Sequence, residues 1–257
     1  MSEKNRDGKR AARQKLAEQR EKQKTRDKRR RALIVGASVV CVLGLAAVIG
    51  VVAANAGKDD GSESAGPVVV PSGAQGKDGL AIPVGKESAK STLVIWEDFR
   101  CPACKAFELA YRDTIHELTG AGQLKVEYHL ATIIDGNVGG TGSRKSANAA
   151  ACAQDAGKFP AYHDVLYDNQ PEETDDAFAD NGKLIGLAGK VDGLDTPVFQ
   201  KCVKDGMHDS WVAKSSEAFR SGGFSGTPTV LLDGRNIYQE KSMTPAKLKQ
   251  LVQDANK

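Results

Sequence analysis

The sequence is poor in residues that bind transition metals. It has four histidines and five cysteines among 257 residues, and the histidines, at positions 116, 129, 163 and 208, lack the spacing of metal ligands. One Cys-x-x-Cys motif is present, at Cys101 and Cys104, without the second motif or the paired histidine that would complete a zinc site. We therefore expect no metal ion and no other cofactor.

The net positive charge of the chain comes from its N-terminal segment. Residues 1–31 contain fourteen Lys or Arg and five Asp or Glu, whereas the whole chain has a formal charge of only +3. Residues 32–257 are therefore net acidic, and they lack a basic surface with interleaved aromatic residues, which excludes nucleic-acid binding by the folded part. The basic segment itself fits either a nucleic-acid arm or an orientation signal beside a membrane.

Charged residues are absent from residues 32–54, which read ALIVGASVVCVLGLAAVIGVVAA. About 20 apolar residues suffice to span a bilayer as a helix, and the basic flank places residues 1–31 in the cytoplasm by the positive-inside rule. A cleaved signal peptide is the alternative, because Ala54-Asn55-Ala56 has the form of a cleavage site. The apolar run exceeds the roughly 7–15 residues of the hydrophobic region of a signal peptide. We predict a single-pass cell-membrane anchor at 32–54, with the remainder of the chain extracytoplasmic.

The region after this run is rich in Gly, Ser, Ala and Asp. Residues 55–79 have this composition, with Pro67 and Pro71 around a single short apolar run. Such a composition predicts a flexible linker. We place the folded domain at residues 80–257, and no internal repeat is visible in it.

A strand-to-helix pattern surrounds the two cysteines of the motif. The apolar run Leu93–Trp96 precedes them, and residues 105–118 have helical periodicity. Pro102 suits the first helical position, which places Cys101 at a helix N-terminus, where the thiolate is favoured. Cys104 is then placed to close or resolve a disulfide. These features favour a redox pair over a structural bridge or half of a metal site.

The order of the remaining patterns predicts an α/β fold. A strand at 92–96, the helix after Cys101 and a strand at 124–130 form a β-α-β unit with a parallel strand pair. Residues from about 140 to 208 then switch to helical patterns and form an insertion. The predicted later elements are a helix at 210–220, strands at 230–232 and 235–238 joined by an Asp-Gly turn, and a helix at 245–255 capped by Thr244.

Two motifs together point to a family. The first is Asp98-Phe99-Arg100-Cys101-Pro102-Ala103-Cys104, and the second is Gly226-Thr227-Pro228-Thr229 before a late strand. Across residues 80–257 the chain resembles the DsbA-type thiol–disulfide oxidoreductases, of the membrane-anchored kind found in Gram-positive and actinobacterial cells. The resemblance implies a thioredoxin-like fold, and it implies that Thr227-Pro228 is a cis-proline loop that binds substrate backbone opposite Cys101. An ordinary trans proline opening a strand is the alternative.

The first departure from this resemblance concerns the proton acceptor of the second cysteine. Relatives often have an acidic residue six positions before the first cysteine, where this chain has Ile95. Glu97 and Asp98 lie nearer and could accept a proton from Cys104, although Asp98 could instead cap the helix.

The second departure lies between the cysteines. Ala103 occupies the position where the best-known oxidants have histidine, so no imidazole is available to stabilise the Cys101 thiolate. Arg100 is the nearby positive charge that could favour the thiolate.

Cys152 and Cys202 both lie in the predicted helical insertion. Some relatives have a second disulfide in this region, and paired cysteines persist in oxidising compartments. We therefore expect a structural disulfide, with two free buried thiols as the alternative.

These expectations combine into a functional hypothesis. The chain is expected to be an extracytoplasmic thiol–disulfide oxidoreductase that introduces disulfides into reduced exported proteins. The resemblance implies reoxidation by a membrane partner of the DsbB or vitamin-K-epoxide-reductase type. An extracytoplasmic reductase, for example in cytochrome maturation, and a non-catalytic thioredoxin-fold interaction module are the alternatives.

Overall fold

A computed structural model describes residues 67–257. The predicted basic tail, the predicted membrane anchor, Cys41 and the first part of the predicted linker lie outside the described residues. Within 67–257, none of the helices combines the length and the apolar character that a bilayer crossing requires.

One mixed five-stranded sheet forms the centre of the fold. Its strands are β1 (Ile82–Gly85), β2 (Ser91–Glu97), β3 (Leu124–Leu130), β4 (Thr229–Leu232) and β5 (Arg235–Asn236), in the order β1-β3-β2-β4-β5. Strands β2 and β3 are parallel and the other neighbours are antiparallel. The predicted α/β fold with a parallel pair is therefore confirmed.

The long helix α1 (Pro102–Gly120) connects the two parallel strands. It packs against β3 and against the C-terminal helix α8 (Pro245–Ala255). The side chain of Thr244 accepts a hydrogen bond from Lys247 N at 3.1 Å, as predicted for a helix cap.

Six α-helices and one short 3-10 helix (Ala177–Ala179) separate β3 from β4 and form the insertion, which extends beyond the predicted residues 140–208 at both ends. The α-helices are α2 (Ile133–Val138), α3 (Gly142–Asp155), α4 (Phe159–Asp168), α5 (Asn181–Ala188), α6 (Pro197–Asp205) and α7 (Asp209–Ser221). Helix α3 contacts α4, α6 and α7. Its alanines at 147, 149, 150, 151 and 153 are all buried, and such small side chains allow neighbouring helices to approach closely. Helix α2 was not predicted, because it is short and contains Gly136, a poor helix former.

Alternate residues of β2 face opposite sides of the sheet. Trp96 packs against Phe219 of α7 on one side, whereas the next residue, Glu97, contacts α4 on the other. Helices therefore pack on both faces of the sheet at the point where β2 ends and the cysteine motif begins.

The segment before β1 differs from the predicted flexible linker. Residues 67–79 are held against the insertion: His208 Nδ1 lies 2.9 Å from Val69 O, and Trp211 Nε1 donates to Gly79 O at 2.7 Å. Ser72 N also donates to Asp155 at 2.7 Å. The Gly- and Ser-rich composition correctly indicates a lack of regular structure, but these tertiary hydrogen bonds place the start of the folded part before residue 80.

Candidate active site

Cys101 lies at the N-terminus of α1, immediately before Pro102. The thiol is therefore close to amide groups that have no partner within the helix. A hydrogen bond from Cys104 lowers the pKa of the Cys101 thiol most, and the N–H groups of Cys104 and Ala103 lower it further. These effects outweigh burial, so the pKa falls to about 6. Cys101 is thus the thiol that forms a thiolate near neutral pH.

Cys104 lies on the inner side of the same helix turn and has the opposite character. Its exposed fraction is 0%, against 6% for Cys101. Burial raises the pKa of the Cys104 thiol well above its ordinary value, and the hydrogen bond to Cys101 and the charge of Glu97 raise it further. Both residues are free thiols in the structure. The pair therefore consists of one acidic thiol with slight solvent exposure and one fully buried thiol that holds its proton.

The late loop of the chain meets Cys101. The Thr227–Pro228 peptide bond is cis, and Cys101 Sγ donates to Thr227 O at 3.3 Å. The two motifs on which the family resemblance rests, far apart in the sequence, thus lie side by side in the fold.

Asp98 does not cap α1. Its carboxylate accepts hydrogen bonds from Arg100 N and Ile134 N, both at 2.9 Å, and the N-cap residue Cys101 has no side-chain cap. Burial raises the pKa of Asp98 to about 7, against these backbone hydrogen bonds. Asp98 therefore fixes the loop between β2 and α1 to the start of α2.

Arg100 does not supply a free positive charge to Cys101, which corrects the expectation from the sequence. Its guanidinium is buried and forms ion pairs with Asp135 at 2.7 Å and Asp176 at 2.9 Å. It also donates to the carbonyls of Gly139 and Glu173, both at 2.9 Å. A buried guanidinium needs these partners, so the charge of Arg100 attaches the motif to the insertion.

The insertion also supplies a contact that sequence reasoning missed. Gln170 Nε2 donates to Phe99 O at 2.9 Å and to Cys101 O at 3.0 Å. A glutamine in a loop after a short helix shows no sequence signal for this role. Gln170 holds the backbone of the motif from outside the thioredoxin-like part.

Glu97 is fully buried at the end of β2. Its Oε1 lies 3.0 Å from His163 Nε2 of α4, and its charge acts on the Cys104 thiol. Of the two acidic residues considered as proton acceptors, Glu97 acts on Cys104 through its charge, whereas Asp98 acts on it through a backbone hydrogen bond.

Cys152 and Cys202 form a disulfide, with an S–S distance of 2.00 Å. The bond joins α3 to α6 inside the insertion, and both residues are buried. It therefore lies in a different part of the fold from Cys101 and Cys104.

Comparison with known proteins supports a thiol–disulfide exchange function. The Thioredoxin family model matches residues 77–254. The chain is 24% identical over 154 residues to a probable disulfide bond formation protein D of Bacillus cereus, covering 59% of this chain and 69% of that protein. It is 28% identical over 171 residues to the serine/threonine-protein kinase PknE of Mycobacterium tuberculosis, covering 62% of this chain and only 30% of the kinase.

The fold is also shared with a solved structure. The oxidised DsbA of Mycobacterium tuberculosis superposes with a TM-score of 0.59 at 28% identity, covering 68% of this chain and 92% of that one. The predicted thioredoxin-like fold with a helical insertion is therefore confirmed. The chain belongs to the thioredoxin family and is a thiol–disulfide oxidoreductase of the DsbA type found in Gram-positive and actinobacterial cells.

Proposed function

We propose that the protein introduces disulfides into reduced exported proteins through Cys101 and Cys104. The observation that supports this most is the opposite character of the two thiols: the pKa of Cys101 is lowered to about 6, and that of Cys104 is raised. A stabilised thiolate stabilises the reduced enzyme, which makes its disulfide a stronger oxidant.

The reaction then has two exchange steps. A substrate thiolate attacks Cys101 Sγ of the oxidised enzyme, a substrate–Cys101 disulfide forms, and Cys104 leaves as a thiolate that takes up a proton. A second substrate thiolate attacks the substrate sulfur of the mixed disulfide and releases the Cys101 thiolate. Two electrons pass from the substrate to the enzyme, which then requires a membrane oxidant, proposed to be of the DsbB or vitamin-K-epoxide-reductase type.

The loop at Thr227 is the proposed site for substrate backbone. Its carbonyl lies within hydrogen-bond distance of Cys101 Sγ, so an extended peptide beside it would bring a cysteine to the reactive sulfur. A groove of about 220 Å³ lies nearby and is lined by Ala106, Phe107, Tyr111, Ile237, Tyr238 and Met243. The charges of both motif cysteines act on Tyr238, so this apolar groove adjoins the active site and suits apolar segments of an unfolded chain.

The proposal also includes the location. Residues 32–54 would anchor the enzyme in the lipid bilayer, with Cys101 on the extracytoplasmic side. A membrane-impermeant thiol reagent should label Cys101 in reduced intact cells, and labelling only after lysis would contradict this orientation.

A dithiol-oxidation assay tests the proposed activity. Oxidised full-length enzyme in detergent is mixed with a reduced peptide that has two cysteines, and peptide disulfide should form as enzyme disulfide is lost. The Cys152→Ser/Cys202→Ser variant is the matched control, because it retains only the motif pair among the described cysteines. An enzyme that reduces the oxidised peptide but does not oxidise the reduced one would favour the reductase alternative, and an inert chain would favour the interaction module.

A further inference from the structure

Three side chains of the kinds that bind metal ions lie buried together where three elements of the fold meet. Glu97 lies at the end of β2, Glu108 on α1 and His163 on α4, with exposed fractions of 0%, 2% and 2%. One candidate ligand atom from each residue lies within 4.8 Å of the other two. Because the three residues are far apart in the chain, their spacing in the sequence shows no metal motif.

Two carboxylate oxygens of this cluster lack a partner. His163 Nε2 lies 3.0 Å from Glu97 Oε1, but Glu97 Oε2 and Glu108 Oε1 are buried and have no hydrogen-bond partner among the described residues. Neither open oxygen therefore shares a proton with the other carboxylate. Buried polar atoms are almost always satisfied, and leaving a carboxylate oxygen unpaired is costly. A cation bound by both carboxylates would satisfy both oxygens.

The imidazole is held in the orientation that a metal ligand needs. His163 Nδ1 lies 3.5 Å from Asp164 Oδ1, and Asp164 is itself held by Arg112 Nε at 3.1 Å. A carboxylate on the second ring nitrogen is the usual arrangement behind a metal-binding histidine, because it fixes the ring and its tautomer. Nε2 is thereby left for the two glutamates.

A short route connects the cluster with solvent. The Asp164 side chain is 21% exposed, and its Oδ2 lies 3.4 Å from Nε2 of His116, which is 46% exposed. These two side chains provide ligand atoms between the surface and His163. A metal ion can therefore reach the cluster without unfolding of the sheet.

Aromatic rings enclose the imidazole and restrict the number of water ligands. Their centroids lie 4.7 Å (Tyr128), 5.0 Å (Tyr167), 5.4 Å (Phe159) and 5.7 Å (Phe99) from that of His163. Such an enclosure favours an ion of low coordination number. A divalent cation also balances the two negative charges of a pair of glutamates, so that the buried cluster would carry no net charge.

The donor set selects among the divalent cations. Calcium takes six to eight oxygen ligands, and magnesium retains several waters, whereas this cluster offers an imidazole nitrogen and a few carboxylate oxygens. Zinc binds these donors in four-coordinate sites at about 2.0–2.2 Å. Ligand atoms around zinc are then roughly 3.4 Å apart, so the three side chains need only a small inward movement from their present separations.

We propose that Glu97, Glu108 and His163 form a zinc site that ties the active-site helix and β2 to the helical insertion. The site would be structural, since it lies on the buried side of α1 and uses no thiol. It would stabilise the contact between the insertion and the thioredoxin-like part. The proposal is independent of the direction in which Cys101 and Cys104 exchange disulfides.

A zinc titration of the oxidised full-length enzyme in detergent tests the proposal. Cys101 and Cys104 are then joined and Cys41 is blocked with iodoacetamide, so that no thiol competes for the metal. After treatment with a chelator, the enzyme should take up one zinc ion per chain from a chromophoric zinc indicator. Zinc should also raise the unfolding temperature, because it binds the folded state. Glu108→Gln and His163→Gln should each weaken zinc binding by about 100-fold or more.

Two matched variants serve as controls. Glu117→Gln removes an exposed carboxylate of the same helix, which pairs with Lys249, and His116→Gln removes the exposed histidine beside Asp164. Both should retain the zinc affinity within about threefold, because neither residue belongs to the cluster. A loss in His116→Gln as large as that in His163→Gln would place the ion on the surface and overturn the inference. Absence of zinc binding by the parent, or tighter binding of calcium than of zinc, would overturn it as well.

X-ray absorption by the zinc-loaded parent does not depend on how the variants fold. It should show nitrogen and oxygen neighbours at about 2.0–2.2 Å and no sulfur at about 2.3 Å. Sulfur neighbours would assign the zinc to cysteines and overturn the inference. An enzyme that exchanges disulfides but binds no zinc would refute this inference alone, whereas one that binds zinc but exchanges no disulfide would refute only the proposed function.

Discussion

The two cysteine pairs of the described chain are almost equally buried but differ in chemistry. Exposed fractions are 6% and 0% for Cys101 and Cys104, and 2% and 5% for Cys152 and Cys202. The first pair lies at a helix N-terminus beside a cis-proline loop and near the buried carboxylate of Glu97, whereas the second joins two helices within the insertion. Burial alone therefore does not decide which cysteines react. The amide groups and charges around each sulfur decide whether it forms a reactive thiolate.

The largest expected difference concerns catalysis. Cys101→Ser should reduce exchange to the uncatalysed level, because it removes the only motif thiol that ionises near neutral pH. Cys104→Ser should accumulate mixed disulfides, because the resolving thiol is lost. Non-reducing electrophoresis with a reduced substrate would detect these adducts. Adducts formed by Cys101→Ser but not by Cys104→Ser would reverse the two roles.

The second pair should affect stability and not catalysis. Its disulfide closes a loop with a sequence separation of 50, for which the chain-entropy relation gives about 4 kcal/mol. Cys152→Ser/Cys202→Ser should lower the free energy of unfolding by about that amount, as measured in denaturant. Exchange rates should stay within about twofold, because the sites do not share partners. A large loss of exchange in a folded double variant would show that the two pairs are coupled.

Arg100 allows a test of how firmly the motif is attached to the insertion. Arg100→Met leaves Asp135 and Asp176 without their buried cation and should destabilise the fold by about 3 kcal/mol. Arg220→Met is a matched control, because Arg220 pairs with Glu217 on the exposed surface and should cost about 0.5 kcal/mol or less. Equal effects of the two substitutions on unfolding would contradict the role assigned to Arg100.

The smallest predicted effect is a pH dependence confined to the reduced form. Because the Cys101 pKa falls from 9.0 to about 6 on folding, the unfolded chain binds more protons between these values. The stability of the reduced enzyme relative to the oxidised enzyme should therefore rise with pH in this window, by roughly 1 kcal/mol per pH unit after allowance for partial exposure. Asp98 is present in both the reduced and the oxidised enzyme, so its contribution to the pH dependence cancels in this comparison.

Paired unfolding curves at pH 6 and 8 would measure this effect. Cys101→Ser cannot form the disulfide and has no thiol to ionise at position 101, so its free energy of unfolding should change with pH as that of the oxidised enzyme does. A relative stability that stays flat or falls over this range would contradict the assignment of Cys101 as the acidic thiol.

The parts of this site that could be predicted from the sequence depend on local chemistry. A strand followed by Cys101-Pro102 predicts a thiol at a helix N-terminus, because proline suits the first helical turn. Asp233-Gly234 predicts the β4–β5 hairpin, and both residues adopt positive φ angles, 49° and 83°. Each of these signals depends on neighbours a few residues apart.

The remaining parts depend on contacts between distant segments. Arg100 follows the motif strand, yet its partners lie 35 and 76 positions later, in the insertion. His163 and Gln170 likewise have no local pattern that indicates a contact with the motif. Helix packing alone determines which polar residues face a buried site, so sequence reasoning assigned Arg100 to the wrong partner and did not identify the other two.

The most direct test of the central claim is equilibration of the Cys101–Cys104 pair with glutathione. An oxidant with a stabilised Cys101 thiolate should have a potential between about −120 mV, the value for DsbA, and about −270 mV, the value for thioredoxin. The reduced form should then be the more stable one. A potential at or below the thioredoxin value, with the oxidised form more stable, would contradict the claim and identify the protein as a reductase.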